Sequence, residues 1–188
     1  LEIFGGPLAA PSANRSGSVS PTNARHVAES LGDAVALILD GGATTHGLES
    51  TIIGLGEARA TLLRPGAITR ADVEAVVGAL GRGSDREDAP HAPGRLRRHY
   101  ATATPLRLNA TSVAADEALL AFGPALEGAK VTQNLSASGD LVEAAAHLFA
   151  MLRKLDAEGA RGIAVMPVPV AGLGEAINDR LQRAAVRE

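Results

Sequence analysis

The 188-residue chain contains no cysteine. That excludes disulfides, thiolate metal ligands and cysteine nucleophiles, and it is consistent with a reducing compartment. Tryptophan is also absent, and one tyrosine and three phenylalanines are the whole aromatic complement, so the core must be aliphatic and alanine-rich. Positive charge is not in excess. A formal net charge of -3 gives no global attraction to nucleic acid, so any RNA contact needs a local patch. No apolar run is long enough to cross a bilayer, and no signal-peptide pattern is present. These absences predict a cytoplasmic protein without a membrane partner. The five histidines (His26, His46, His91, His99 and His147) show no ligand spacing. No Walker A loop, Gly-x-Ser-x-Gly elbow or carboxylate pair stands out, so neither a protein-built metal site nor a side-chain nucleophile is expected.

What is present is concentrated in one stretch, Gly6 to Pro21. Pro7, Pro11 and Pro21 stiffen it, Gly6 and Gly17 free its backbone, and Ser12, Asn14, Ser16, Ser18 and Ser20 supply polar groups beside Arg15. A stiff loop rich in hydroxyls and exposed N–H groups suits an oxygen-rich anion such as a nucleotide phosphate. Ser20 reads as a helix N-cap with Pro21 at the first helical position, which would add the donors of a helix N-terminus. The same composition also suits an ordinary surface loop.

Downstream, residues 23–31 carry Ala24, Val27, Ala28 and Leu31 at helical spacing, closed by Gly32. The apolar run 34–39 predicts a strand buried on both faces, ending in the turn Asp40-Gly41-Gly42. Ligands gather at the carboxyl ends of such strands, which makes that turn a candidate site wall. Residues 52–55 and 61–63 read as a hairpin leading into Arg64-Pro65-Gly66. An arginine at a strand end beside a Pro-Gly turn can hold a phosphate by paired N–H bonds, or it can be a simple surface arginine. Thr69 and Asp72 predict a capping box for a helix with Val73, Val76, Val77 and Leu80 on one stripe. Residues 81–93 are charged and turn-rich, as a linker would be, and 94–100 add Arg95, Arg97, Arg98 and the only tyrosine. Beyond Pro105 the chain predicts strands at 106–109, 129–135 and 163–168. Helices are predicted at 112–122, at 141–157 behind Asp140, and from Gly172-Leu173-Gly174 onward with Ala176, Ile177, Leu181 and Ala184 inward. That alternation argues for a small parallel, Rossmann-like sheet.

Several motifs occur together: Ala10-Pro11-Ser12-Ala13-Asn14, Ser16-Gly17, Ser20-Pro21-Thr22, Leu39-Asp40-Gly41-Gly42, Gly47-Leu48-Glu49-Ser50-Thr51, Leu63-Arg64-Pro65-Gly66, His99-Tyr100-Ala101 and residues 172–181. In this order they resemble the Sua5/YrdC/YciO family of threonylcarbamoyl-AMP synthases, in its longer Sua5-type form. The resemblance implies an α/β chain in three parts. Residues 1–80 would be the C-terminal part of a YrdC-like twisted mixed-sheet domain, 81–102 a linker, and 103–188 a Rossmann-like parallel-sheet domain. The chain opens at Leu1-Glu2-Ile3-Phe4 without an initiator Met, as the middle of a domain would. The expectation is therefore a chain that lacks the N-terminal half of the YrdC-like domain.

The resemblance further implies synthesis of threonylcarbamoyl-AMP and pyrophosphate from L-threonine, bicarbonate and ATP, with Mg²⁺, for the t6A modification of tRNA. By the same resemblance Ser12, Ser20, Arg64 and Tyr100 would contact ATP, with Asn14 in support. Ala10, through its backbone, and Ser50 would hold threonine. The family draws further Lys and Arg from the N-terminal half. A different class of reading is an inert binding module that touches tRNA or t6A-pathway proteins through Arg95, Arg97 and Arg98. A narrower one is a carbamoyl transferase acting on another acceptor, against which the Sua5-type second domain argues.

Overall fold

The computed structural model describes residues 2–56, 59–82 and 98–187. Its best-buried strand is one that local pattern misassigns. Within 112–122, predicted as a helix, Ala118–Ala121 form a strand, β5, with all four residues buried. Leucine and alanine favour helices locally, but that preference yields to pairing on both edges. β5 lies parallel between β6 (Val131–Asn134) and β7 (Ile163–Val165), and β7 pairs in parallel with β4 (Leu106–Arg107). Alternation along β5 splits the core in two. Ala118 and Leu120 join Leu148, Phe149, Leu152 and Ile177 on one face, while Leu119 and Ala121 join Ala110 and Ala164 on the other.

Two helices cover the first face. The longer, α3 (Leu141–Asp156), starts at Asp140, whose carboxylate accepts from the backbone N–H groups of Val142 and Glu143. Its inward stripe of Ala145, Leu148, Phe149, Leu152 and Leu155 is the one its periodicity predicts. Gly172 opens α4 (Leu173–Ala185), which buries Ala176, Ile177, Leu181 and Ala184. A Cβ at Gly174 would lie 1.8 Å from the Pro169 carbonyl oxygen, so close packing explains that glycine.

The N-terminal part is more irregular. β1 (Ile52–Leu55) and β2 (Ala60–Arg64) form the expected antiparallel hairpin, and β3 (Gly81–Arg82) adds to β2 in parallel. Helix α2 (Arg70–Val77) carries the Thr69–Asp72 capping box but stops at Gly78, so the stripe predicted to Leu80 ends a turn early. Helix α1 (Ala24–Leu31) is capped by Asn23, whose side chain accepts from the His26 N–H, and not by Ser20. Ser20 is committed elsewhere, as described below. The predicted strand at 34–39 does not form. No strand among the described residues pairs with it, and Leu37 and Leu39 are exposed. The turn after it is local, with the Asp40 carboxylate accepting from the Gly42 N–H.

These loops take their shape from the second sheet's layer. Val19 and Leu48 belong to the same buried cluster as Leu148 and Ile177. Arg153 of α3 donates to the carbonyls of Val19 and Ser20 and to the Ser30 hydroxyl. Arg70 at the start of α2 pairs with Glu175 of α4 at 2.6 Å. Residues 83–97, most of the predicted linker, lie outside the described residues, together with Arg95 and Arg97. Past them the chain is packed. Ala101 donates to the Gly17 carbonyl and bridges Ser18, tying segment 98–102 to the Gly6–Pro21 loop.

Two expected outcomes follow from this packing. Gly47 sits at φ +66°, and a Cβ there would lie 2.3 Å from the Ala145 carbonyl oxygen of α3. Gly47→Ala therefore combines left-handed strain with a backbone clash, and should lower stability by about 1–2 kcal/mol or more, read as a lower urea midpoint. Glu117 accepts from Arg107 at 2.7 and 3.1 Å and from the Ala114 N–H, and these bonds hold its carboxyl at about 2. A depressed carboxyl contributes stability that is complete above its ordinary value of 4.5 and is lost as pH falls toward about 2. Thermal midpoints measured across that range should fall less steeply in Glu117→Gln than in the unsubstituted chain.

Candidate functional site

Ser20 is buried, and its hydroxyl donates to Glu49 Oε1 at 2.7 Å. Glu49 Oε2 accepts from Arg180 Nε at 3.0 Å, and Arg180 Nη1 donates to Asp179 at 2.8 Å. Asp179 also accepts from Arg183 at 3.0 Å. Next to Glu49, the Ser50 carbonyl accepts from Arg64 Nε and Nη2 at 3.1 and 2.9 Å, and the Ser50 hydroxyl accepts from Nη2 at 3.2 Å. Arg64, at the end of β2, is 7% exposed, whereas Ser50 faces solvent. A polar line thus runs from α4 through Glu49 to Ser20, and the Ser50–Arg64 pair lies beside it, one residue along the chain from Glu49.

Local backbone makes the line possible. At Gly66 a Cβ would sit 2.4 Å from the Glu49 carbonyl oxygen and from the Thr51 N–H nitrogen, so only glycine lets the turn after Arg64 lie against residues 49–51. The Ala67 N–H donates to that same Glu49 carbonyl, and Thr51 exchanges hydrogen bonds with the backbone of Ile68.

Tyr100 stands behind this line. Its backbone is left-handed at φ +60°, a costly conformation for a bulky residue. Its ring is fully buried, stacks on Phe149 with centroids 5.3 Å apart, and carries the Arg180 guanidinium 5.4 Å from its centroid. Burial pushes its hydroxyl up to about 12, so it stays protonated at neutral pH. The His99 ring packs edge-on against it at 4.1 Å. Burial, with Arg183, Arg180 and Arg64 nearby, outweighs the pull of Glu49 and holds His99 below its ordinary value. Four buried polar atoms have no partner among the described residues: the Tyr100 hydroxyl, His99 Nδ1, Arg180 Nη2 and Asn14 Oδ1.

Of the residues singled out in the sequence, Ser20 and Tyr100 come together through Glu49 and Arg180, while Ser50 and Arg64 bond to each other next to Glu49. Asn14 shapes the loop, its amide donating to the Arg15 and Ser18 carbonyls at 3.0 Å. Ser12 and Ala10 are exposed on the loop before it. A cleft of about 400 Å³ opens between Arg15, Ser18 and Val19 on one side and Arg153 and Asp156 on the other. Sequence reasoning missed Glu49, His99 and Arg180 as site residues. For Arg180 a signal existed: it is a charged residue on the inward stripe of α4, three positions after Ile177.

Comparison with known proteins gives the family. A family model described as threonylcarbamoyl-AMP synthase, C-terminal domain, matches residues 68–186, and one described as telomere recombination matches residues 1–66. The threonylcarbamoyl-AMP synthase of Bacillus subtilis (strain 168) is 37% identical over 197 residues, covering 95% of this chain and 57% of that protein. The Pyrococcus abyssi enzyme of the same name is 36% identical over 204 residues, covering 98% and 59%. The crystal structure of P. abyssi Sua5 complexed with L-threonine superposes with a TM-score of 0.85 at 32% identity, over 98% of this chain and 59% of that one. A variant of P. abyssi Sua5 with alanine in place of an adjacent His-Tyr pair gives a TM-score of 0.83 at 31% identity. The chain spans less than three-fifths of the length of these relatives. Taken with the mixed sheet, the parallel sheet and the ordered motifs between them, these matches establish that the chain belongs to the Sua5 family of threonylcarbamoyl-AMP synthases.

Proposed function

We propose that this chain carries the nucleotide- and threonine-facing part of a threonylcarbamoyl-AMP synthase, which makes threonylcarbamoyl-AMP and pyrophosphate from L-threonine, bicarbonate and ATP. The observation that carries the reading is the pair of adjacent hydrogen-bonded groups, Ser20 with Glu49 and Ser50 with Arg64, held side by side by the Glu49–Ser50 peptide. The L-threonine in the superposable P. abyssi structure supports it. In this reading residues 1–80 belong to the catalytic domain, 81–102 link, and 103–188 form the second domain.

The chemistry asks for placement more than for a nucleophilic side chain. The threonine amine adds to the bicarbonate carbon and water leaves, giving a carbamate. A carbamate oxygen then attacks the α-phosphorus of ATP, and pyrophosphate departs. Holding the two reactants in line supplies much of the rate, and fixed donors on the phosphates supply more. Arg64, already aimed by Ser50, is the cation assigned to the nucleotide. Ser50 and the Ala10 backbone take threonine, Ser12, Ser20 and Asn14 take the nucleotide, and Tyr100 would join them only by turning out of its packing against Phe149. Among the described residues no three His, Asp or Glu side chains converge on a metal position. Mg²⁺ is assigned in this reading to the nucleotide's own phosphates, whose charge it would neutralise. The product would feed t6A formation on tRNA. No helix among the described residues is long and apolar enough to cross a membrane; the cytoplasm is the compartment assigned in this reading.

Pyrophosphate release, measured on the chain extended upstream to the length of its relatives, tests the reading. Release should require threonine, bicarbonate and ATP together. Arg64→Ala should lower kcat/KM for ATP by about ten- to a hundredfold, the worth of one charge-assisted contact. Release without threonine, or kinetics indifferent to Arg64, would overturn it.

A further inference from the structure

The Ser20 hydroxyl has one proton, and it is given to Glu49 at 2.7 Å. Glu49 is not free to turn away, because its second oxygen is held by Arg180 Nε at 3.0 Å. Arg180 is itself immobilised. It is fully buried, Asp179 grips Nη1, and the Tyr100 ring covers the guanidinium. Asp179 is braced in turn by Arg183. A rigid element of the second sheet's layer therefore sets the orientation of a hydroxyl that opens the α1 loop.

We propose that Arg180 is a positioning residue for the nucleotide, acting through Glu49 to fix the Ser20 hydroxyl as an acceptor. This rests on the reading of Ser20 as a nucleotide contact given above. With its proton committed, Ser20 has only oxygen lone pairs for a ligand. It accepts from an O–H or N–H of the nucleoside and gives nothing to a phosphate, whose oxygens its lone pairs would repel. The loop's phosphate-binding capacity then falls to its other groups and to Arg64. The assignment also gives the second sheet's layer a stated task at the site. Its helix α4 determines which half of ATP Ser20 reads.

The test is a double-mutant cycle on the extended chain, with ATP affinity measured by calorimetry and inorganic tripolyphosphate as the phosphate-only probe. Arg180→Met should weaken ATP binding about tenfold when Ser20 is present, the worth of one lost hydrogen bond, and less than about twofold in the Ser20→Ala background. Tripolyphosphate affinity should not change with Arg180→Met. An equal loss in both backgrounds would show a merely structural role and overturn the proposal. So would unchanged ATP affinity, or a parallel loss for tripolyphosphate. If thermal melts show that Arg180→Met does not fold, Glu49→Gln, which keeps the side-chain shape, replaces it in the same cycle with the same criteria. Absence of ATP binding by the unsubstituted extended chain would instead overturn the functional reading on which the proposal rests.

Discussion

A buried guanidinium with a carboxylate on either side holds this molecule's working parts in register. Arg180 has no exposure to water, and its partners are Glu49 from the first part of the chain and Asp179 from its own helix. Removing one member of such a buried pair leaves an uncompensated charge and costs roughly 3–5 kcal/mol, whereas an exposed pair is worth about 1 kcal/mol at most. By that measure the exposed Arg25–Glu29 pair on α1 decides little, and the Arg180–Glu49 pair decides how the two parts of the chain meet. Every other cross-contact is compatible with it. Val19 and Leu48 enter the second core, Arg153 holds the loop carbonyls, and Gly47 lies flat on α3.

The consequence is a division of labour. The parallel sheet and its two helices form a dry, closely packed body whose stability comes from aliphatic burial. The loops at 6–22 and 40–51 have almost no regular structure of their own and borrow their geometry from that body. Polar groups at a binding site need such backing, since a flexible loop would lose the entropy of ordering on every binding event. The strained backbone of Tyr100 sits where the borrowed geometry and the dry core meet, with its ring against Phe149 and Arg180.

Features set by neighbours in sequence were readable from it. The Thr69–Asp72 capping box, the Asp140 cap and stripe of α3, the hairpin and the inward face of α4 all depend on residues within a few positions. Features set by distant partners were not. Ser20 looks like a cap because Pro21 follows it, yet Glu49, 29 residues away, takes its hydroxyl. Ala118–Ala121 looks helical until two other strands flank it, and 34–39 looks like a strand but finds no pairing partner among the described residues. The site was half legible for the same reason. Ser20, Ser50, Arg64 and Tyr100 stood out through their motifs, while Glu49 and Arg180, which join them, are defined by a contact across 131 residues.

In the proposed arrangement, ligand bound to the first part of the chain is felt by helix α4 through Glu49 and Arg180. Amide hydrogen exchange of the extended chain, with and without ATP and L-threonine, tests it most directly. Ligand should slow exchange at residues 17–22 and 47–51 and, in the same experiment, along 176–183 of α4. Protection confined to the loops, with α4 exchanging as before, would contradict it.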